Sequence, residues 1–282
     1  MQTLLITGGS GYLGRQLAAQ ASAAGYQVAA TWHTHSPTLA GVAWHQIDLR
    51  DAAATMSLID ALQPDAIIHT AYVQSGPDLV PVTATAAGSV ARAARRNSAR
   101  LIHMSSDAIF DGEQEAAYTE TDPPSPVHPY GVAKAAAEQL VAEAHPMASI
   151  VRTSLIYGGP TPGPHERIVF DALSGRADIV FFTDERRCPI AVADLAAALL
   201  ELVPLDHAGP LHIAGAETIS RYAFACAVAG AAGYRTDGLR SGLSTASGMR
   251  RPRNCALRID RARALLTTPL RGVSDVLGNT VG

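Results

Sequence analysis

A tyrosine and a lysine four residues apart, Tyr130 and Lys134, have the types and spacing needed for proton transfer. In a helix this spacing places the two side chains on one face. A phenol has an ordinary pKa of about 10, and a neighbouring ammonium group lowers that pKa, so the phenol can exchange a proton near neutral pH. The pair could therefore protonate a carbonyl oxygen during reduction, while the lysine also holds a cofactor ribose.

Two adjacent serines, Ser105 and Ser106, end an apolar segment that predicts a strand over residues 100–105. A hydroxyl at this position can donate a hydrogen bond to a substrate carbonyl as negative charge develops on its oxygen. Successive side chains of a strand point to opposite faces, so only one of the two serines can face the substrate. The spacing alone leaves the choice between them open.

Three glycines, Gly8, Gly11 and Gly14, are spaced every three residues. They follow an apolar segment, Thr3–Thr7, and open an Ala- and Leu-rich segment that predicts a helix. Gly8 permits a tight turn, Gly11 lets the backbone approach a pyrophosphate, and Gly14 lets the helix pack against the sheet. This placement between a strand and a helix is typical of a dinucleotide-binding site.

The segment after the second predicted strand indicates which dinucleotide is bound. NAD sites have an acidic residue here that binds the adenosine ribose, and such an acid would repel the additional phosphate of NADP. The segment contains Trp32, His33, His35 and Ser36, with no carboxylate and no arginine. We therefore predict NADP in preference to NAD, with His33, His35 and Ser36 as hydrogen-bonding residues for the phosphate. The two histidines do not predict a metal site, because no third ligand lies nearby.

Strand-like and helix-like segments alternate along the chain and predict a doubly wound (Rossmann) α/β fold, in which helices cover both faces of a parallel sheet. The predicted strands are 3–7, 27–31, 66–70, 100–105, 149–153, 179–182 and 211–213, and the predicted helices are 12–24, 51–62, 82–96, 130–145, 192–202, 221–232 and 259–266. A loop rich in Gly and Pro, Gly158–Pro164, separates two regions. We expect a dinucleotide-binding domain over residues 1–157. Residues 158–282 are expected to form mostly a smaller substrate-binding α/β lobe, with some segments returning to the main domain.

The composition of the 282 residues excludes several functional classes. The 22 basic and 25 acidic side chains give a net charge of −3, so no basic surplus is available for nucleic acid. The three cysteines are far apart and predict neither a disulfide framework nor a metal cluster. No apolar segment reaches the roughly 18 to 20 residues that span a bilayer, and the N-terminus lacks the basic region of a signal peptide. We expect a soluble, cytoplasmic protein with a small-molecule substrate and no membrane partner.

Together these motifs resemble the extended short-chain dehydrogenase/reductase superfamily over nearly the whole chain, and within it the dTDP-4-dehydrorhamnose reductases. Besides the glycine turn and Tyr130-x-x-x-Lys134, three further segments carry the resemblance. They are Ser105-Ser106-Asp107-x-Ile109-Phe110-Asp111-Gly112 beside S-T-D-Y-V-F-D-G, residues 151–158 beside L-R-T-S-W-V-Y-G, and Arg251-Pro252-x-Asn254-x-x-Leu257 beside R-P-x-x-S/N-x-x-L. In the family pattern the catalytic hydroxyl lies three positions before the apolar member of an apolar-aromatic pair, here Ile109-Phe110, which selects Ser106.

The resemblance implies NADPH-dependent reduction of a keto group on a nucleotide-linked 4-keto sugar, with Ser106, Tyr130 and Lys134 as catalytic residues. It also implies substrate contacts at Asp107, Arg187 and Arg251, whose arginines are expected to meet a diphosphate; a solvated charged surface is the alternative interpretation. The predicted cofactor contacts are Gly8, Ser10, Gly11, Tyr12, Leu13, Trp32, His33, Asp48, Leu49, Thr70, Ala71, Tyr72, Ser105, Tyr130 and Lys134. Dimers are common in the superfamily, so a homodimer is among the expectations.

Two other functions are compatible with the same residues. An epimerase or dehydratase would use Ser, Tyr and Lys around a tightly held NAD, which the missing ribose-binding acid disfavours. A non-catalytic NADP-binding regulatory subunit could use the same fold, because function does not follow from fold. Leu155 stands where the family has a tryptophan, so the sequence does not predict which sugar is bound.

Overall fold

The computed structural model describes residues 2–35, 37–248 and 250–278; Ser36, predicted as a phosphate contact, lies outside these ranges. The strands are β1 (Thr3–Thr7), β2 (Gln27–Trp32), β3 (Val42–Gln46), β4 (Ala66–His69), β5 (Arg100–Ser106), β6 (Ser149–Thr153), β7 (Ile156–Tyr157), β8 (Val180–Phe182), β9 (Arg186–Arg187), β10 (Ile190–Ala191), β11 (Gly209–His212), β12 (Ile219–Ser220) and β13 (Arg240–Gly242). The helices are α1 (Tyr12–Ala23), α2 (Ala52–Leu62), α3 (Ala86–Arg96), α4 (Pro129–Ala144), α5 (Pro164–Leu173), α6 (Val192–Leu202), α7 (Arg221–Ala231), α8 (Asp260–Leu265) and α9 (Val273–Leu277).

The largest sheet has seven strands in the order β11-β6-β5-β4-β1-β2-β3. The pairs β1–β2, β1–β4, β2–β3 and β4–β5 are all parallel. Leu4, Leu5 and Ile6 of β1 are fully buried, as expected for a strand whose two faces are both covered. This is the predicted doubly wound fold. Because the strands run parallel, β1, β4 and β5 end at one edge of the sheet, where such folds place their ligands.

Several elements differ from the sequence prediction. The short elements β7, β9, β10, β12, β13 and α9, each of five residues or fewer, were not predicted. Strand β3 was not predicted, because its residues are mostly half-buried and include the polar His45 and Gln46. Helix α5 was not predicted either, because the Gly- and Pro-rich segment before it indicates a loop. That helix begins at Pro164, where a missing N–H costs nothing, and the Glu166 carboxylate accepts a hydrogen bond from the Gly163 N–H at 2.7 Å. The predicted helix over 82–96 opens with a π-helical turn, Pro81–Thr85, before α3.

The chain forms two compact units, and it passes between them five times. The first unit comprises residues 1–106, 129–152 and 196–211, and the second comprises 107–128, 153–195 and 212–282. Residues 107–128, which the sequence prediction placed in the first domain, belong to the second unit. There the Tyr118 N–H donates to the Ala256 carbonyl and the Arg258 N–H donates to the Tyr118 carbonyl, both at 2.8 Å. The segment 196–211 returns to the first unit.

Each unit has its own hydrophobic core. The core of the first unit is rich in alanine along α3, where close helix packing needs small side chains, and it includes Leu5, Ile67 and Leu101 from the sheet. The core of the second unit is built around Tyr157 and Phe224, whose rings meet edge to face at 5.5 Å. Among the described residues, no helix is long and apolar enough to cross a membrane.

Candidate active site

The glycine turn between β1 and α1 has a backbone that other residues could not adopt. Gly8 has a φ of +75°, and a Cβ atom there would lie 2.7 Å from the Ala71 backbone. A Cβ atom on Gly14 would lie 2.3 Å from the Gly8 carbonyl oxygen. Both distances are shorter than atoms tolerate, so the turn and the close packing of α1 require glycine at these positions.

A cavity of about 250 Å³ lies beside this turn, within the first unit. Ten of the predicted cofactor residues line it: Gly8, Ser10, Gly11, Trp32, His33, Asp48, Leu49, Thr70, Ala71 and Tyr72. Tyr12 and Leu13 lie in the first turn of α1, outside this lining. The strand ends, the glycine turn and the N-terminus of α1 together make a surface suited to a dinucleotide diphosphate, so the residues present fit such a cofactor.

An arginine that the sequence prediction did not include, Arg50, also lines this cavity. Its guanidinium donates to both oxygens of Asp48 at 2.6–2.9 Å and to Asp78 at 2.6 Å. The hydrogen bonds from Arg50 lower the pKa of Asp48 to about 2. His33 lies 3.8 Å from the same carboxylate. This part of the cavity therefore combines an arginine with two carboxylates, whereas the segment after β2 contributes Trp32 and His33.

The two serines at the end of β5 differ in their surroundings. The Ser105 hydroxyl is buried and donates to Glu138 Oε1 at 2.5 Å. Ser106 is half-buried, and its side chain leaves the strand on the opposite face. Since the proton of Ser105 is engaged by Glu138, the geometry favours Ser106 as the hydroxyl that meets a substrate carbonyl.

Helix α4 positions Tyr130 and Lys134. The helix begins at Pro129, so Tyr130 lies in its first turn and is half-buried, whereas Lys134 is 3% exposed. The Lys134 ammonium donates to the Met104 carbonyl of β5 at 2.8 Å and lies 5.2 Å from the centre of the Tyr72 ring. The Tyr72 and Tyr130 rings are 5.8 Å apart. The predicted pair thus lies on one helix face, with the lysine held against β5.

Burial lowers the pKa of Lys134 to about 8, and the negative charge of Glu138 opposes that shift. Two buried histidines beside it, His69 and His103, stack at 5.3 Å. Burial, followed by the charge of Lys134, lowers the pKa of both imidazoles, that of His69 to about 3. The histidines are therefore neutral at pH 7 and leave Glu138 as the nearby charge that favours the ammonium form.

Lys134 is the single lysine among the 282 residues; every other basic residue of the Lys and Arg class is an arginine. Arginine is charged at every physiological pH and has a wide planar guanidinium group. Lysine is a compact cation whose pKa shifts readily on burial. The role predicted for this position suits a lysine, because its pKa responds to burial and that of an arginine does not reach the physiological range.

Glu138 and Arg152 form a buried ion pair that the sequence prediction missed. Arg152 donates to the Glu138 carboxylate at distances from 2.8 to 3.3 Å, and both side chains are less than a tenth exposed. Glu138 therefore joins α4 to β5 through Ser105 and to β6 through Arg152. A sequence signal for it exists, because Tyr130, Lys134 and Glu138 follow one another at intervals of four residues along one helix face.

The predicted substrate residues lie in the second unit. Asp107 is buried and accepts a hydrogen bond from the Ser154 hydroxyl at 2.7 Å. Arg187 is also buried, 3.8 Å from Asp107 and 3.8 Å from Glu185. Arg251 is partly exposed, pairs with Glu185, and stacks over the Phe182 ring at 5.0 Å. The structure therefore brings the two arginines to one acidic residue, Glu185, which is 1% exposed.

Comparisons with known proteins agree with this architecture. The family described as RmlD substrate binding domain matches residues 1–281. The chain is 33% identical to a dTDP-4-dehydrorhamnose reductase of Mycobacterium tuberculosis over 80% of this chain and 74% of that protein. It is 32% identical to the methionine adenosyltransferase 2 subunit beta of Mus musculus over 97% of this chain and 86% of that protein. The fold matches that of the Bacillus anthracis dTDP-4-dehydrorhamnose reductase, solved in complex with NADP, with a TM-score of 0.84 at 23% identity over 98% and 97% of the two chains.

Proposed function

Because this chain belongs to the RmlD substrate binding domain family, we propose that it uses NADPH to reduce the keto group of a nucleotide-linked 4-keto sugar. The observation that carries the proposal is the arrangement at the end of β5 and the start of α4. Tyr130 lies one helical turn before a buried Lys134, whose ammonium is fixed by the Met104 carbonyl. These are the groups that carbonyl reduction requires.

The residues divide the chemistry as follows. When bound, the dinucleotide supplies the hydride. The Ser106 hydroxyl donates a hydrogen bond to the substrate oxygen and stabilises the negative charge that develops there. The Tyr130 hydroxyl donates its proton to the same oxygen, and the Lys134 ammonium favours the phenolate that remains. Ser105 does not contact the substrate oxygen in this scheme, because its hydroxyl donates its hydrogen bond to Glu138.

The preference for NADPH over NADH is part of the proposal. The support is the segment after β2, which contributes Trp32 and His33 to the cavity and contains no carboxylate of its own. The Asp48 carboxylate, 3.8 Å from His33, is paired with Arg50. His33 contacts that phosphate in our assignment. Isothermal titration of the protein with NADPH and NADH tests this, and His33→Ala is expected to weaken NADPH binding more than NADH binding. Equal weakening of both would contradict the assignment of His33.

The sugar substrate belongs to the proposal as well. The family pattern predicts that Asp107, Arg187 and Arg251 bind it, and of the two arginines only Arg251 is partly exposed and able to meet its diphosphate. A panel of dTDP- and UDP-linked 4-keto sugars, assayed by the loss of NADPH absorbance, tests the activity. Protein that carries NAD through gel filtration and interconverts sugars without net oxidation of NADPH would instead indicate an epimerase or dehydratase.

The similarity to a methionine adenosyltransferase subunit gives this assay a second purpose. A protein that binds NADPH tightly but reduces none of the sugars, and that copurifies with a stoichiometric partner, would be a regulatory subunit. The complete set of Ser106, Tyr130 and Lys134 favours the reductase, because a purely structural subunit has no need of a lysine with a lowered pKa.

A further inference from the structure

The arginine-rich site of the second unit contains a third arginine, Arg221, that the sequence prediction did not include. The antiparallel pairing of β12 with β9 sets Ile219 opposite Arg187 and Ser220 opposite Arg186. The N–H of the next residue, Arg221, donates to the Glu185 carbonyl at 2.8 Å. This pairing fixes Arg221 beside Arg187 and Glu185, at the first position of α7.

Arg187 is not available to a ligand, because its guanidinium already serves the backbone. Nη1 donates to the Arg186 and Arg253 carbonyls at 2.7 and 3.0 Å, and Nη2 donates to the Pro252 carbonyl at 2.9 Å. The side chain is almost fully buried. Arg187 therefore holds the segment that carries Arg251, so its effect on a ligand is indirect.

The two carboxylates of the site are also committed. Glu185 pairs with Arg251 and lies 3.8 Å from Arg187, while Asp107 accepts from Ser154 and lies 3.8 Å from Arg187. Within residues 2–35, 37–248 and 250–278, no carboxylate oxygen comes within 4.0 Å of the Arg221 guanidinium. Three arginines thus share two carboxylates, and Arg221 is the one with no carboxylate at ion-pair distance among the described residues; the charges of Glu185 and Asp107 act on it only from farther away.

The pKa values of Arg221 and His165 reflect the positive potential of this site. Burial, and then the charge of Arg187, lowers the pKa of Arg221 to about 10, so the guanidinium is still charged at pH 7. Burial, followed by Arg221 and Arg187, lowers the pKa of His165 to about 3. The buried Nδ1 atom of His165 has no hydrogen-bond partner among the described residues. A site with a surplus cation and an unmet polar atom is suited to an anionic ligand with several acceptor oxygens.

We propose that Arg221 and Arg251 together bind the diphosphate of the nucleotide-linked substrate, and that Arg187 only shapes their site. The inference rests on the proposed function, which supplies the diphosphate. Two guanidinium groups on different elements suit two phosphates, since each planar fork can bind one phosphate through two hydrogen bonds. Arg251 is additionally oriented by its stacking over Phe182.

Isothermal titration of the full chain in saturating NADPH, with dTDP, UDP and inorganic pyrophosphate as separate probes, tests the inference. Arg221→Met is expected to raise the Kd for dTDP or UDP about 10-fold to 100-fold, the effect of losing charge-assisted hydrogen bonds. Arg186→Met is the matched control, because it removes the same charge from an exposed neighbouring residue. It should change the Kd less than about threefold.

Folding does not confound the test: Arg221 makes no direct ion pair with the described residues, and burial and the neighbouring charge of Arg187 disfavour its charge, so removing it should leave Tm unchanged or raise it. Arg221→Lys, which keeps the charge but loses the fork, should give an intermediate Kd. Arg221→Met protein that folds and binds every probe as the wild type does would overturn the inference, as would wild-type protein that binds none of them. If nucleoside diphosphates bind through Arg221 while no keto sugar is reduced, the proposed function fails and the anion site stands.

Discussion

Both compact units contain buried cations, and the units differ in whether each cation has an ion-pair or hydrogen-bond partner. In the first unit Arg152 is matched by the Glu138 carboxylate, and Lys134 has the Met104 carbonyl as acceptor. In the second unit Arg221 lies beside Arg187 and Arg251 with no carboxylate of its own. A cation that is paired with a carboxylate has a fixed position and protonation state, whereas a buried cation with no ion pair favours the binding of an anionic ligand. The difference agrees with the two roles we propose, proton transfer in the first unit and anion binding in the second.

The strongest test of this difference is Tyr130→Phe. Removing the proton donor should lower kcat about 100-fold to 10,000-fold, the usual contribution of a positioned acid. The Kd for nucleoside diphosphates should stay unchanged, because anion binding belongs to the second unit. Steady-state kinetics with titration calorimetry measures both, and Tyr234→Phe, at an exposed tyrosine, is the control. If Tyr130→Phe raised KM and left kcat unchanged, Tyr130 would act in substrate binding, and the proposed division of roles between the two units would be wrong.

Removing the buried counter-charge should have the next largest effect. Glu138→Gln removes the carboxylate that neutralises the buried Arg152 guanidinium, which costs about 3–5 kcal/mol of the free energy of unfolding. Glu143→Gln, at an exposed acid of the same helix, should cost less than about 1 kcal/mol. Urea denaturation followed by circular dichroism measures both variants. If Arg221→Met lost as much stability as Glu138→Gln, the two units would not differ in the way we describe.

The two serines of β5 sharpen the comparison within the first unit. Ser106→Ala removes a hydrogen bond to the developing oxyanion and should lower kcat about 100-fold. Ser105→Ala removes a hydrogen bond to Glu138 and should act on stability, by about 1 kcal/mol, more than on kcat. Single-turnover reduction and thermal melting of both variants separate these effects. The assignment of Ser106 would be reversed if Ser105→Ala produced the larger loss of kcat.

The smallest effect concerns the titration of Lys134. Because this is the only lysine, protein labelled with ¹³C-lysine should give one side-chain signal, and its titration midpoint should lie at about 8, where burial places the pKa. The ammonium is present below that pH, so reduction should weaken as the pH rises through it. The folded pKa is below the unfolded value, so the free energy of unfolding should rise between pH 8 and 10.5 as the buried charge is lost. A midpoint near 10.5 would show that burial does not tune this lysine.

Motif spacing predicted the first unit well, because its elements follow strong local rules. The glycine turn, Tyr130 and Lys134 each combine a residue type with a position between a strand and a helix. Six of the seven strands of the main sheet were predicted from the alternation of segments, and β3 was not. The ion pair of Glu138 with Arg152 could not be read from composition, because it joins α4 to the next strand in space. The helical spacing of Glu138 from Lys134 would have suggested its side of the pair.

The second unit was harder to predict, because its strands are short and depend on pairing with distant segments. Strand β12, with two residues, exists only through its pairing with β9, and that pairing places Arg221 beside Glu185. Arg187 matched the family pattern, yet its donors turn to the backbone carbonyls of Arg186, Pro252 and Arg253. Which of several arginines faces a ligand is decided by such contacts. The homodimer and the cytoplasmic location stay predictions.

The repeated passage of the chain between its two units has a consequence for how such proteins diversify. Ser106 is the last residue before the first crossing, and Tyr130 follows the second by two residues. A gene encoding this chain cannot acquire a new substrate-binding unit by one recombination event, because no single cut separates the two. We therefore expect new specificities to arise by substitution within the existing segments, for example at Leu155, where the family pattern has a tryptophan. Ser106, Tyr130 and Lys134 would then be kept while the substrate changes, because their segments alternate with those of the second unit along the gene.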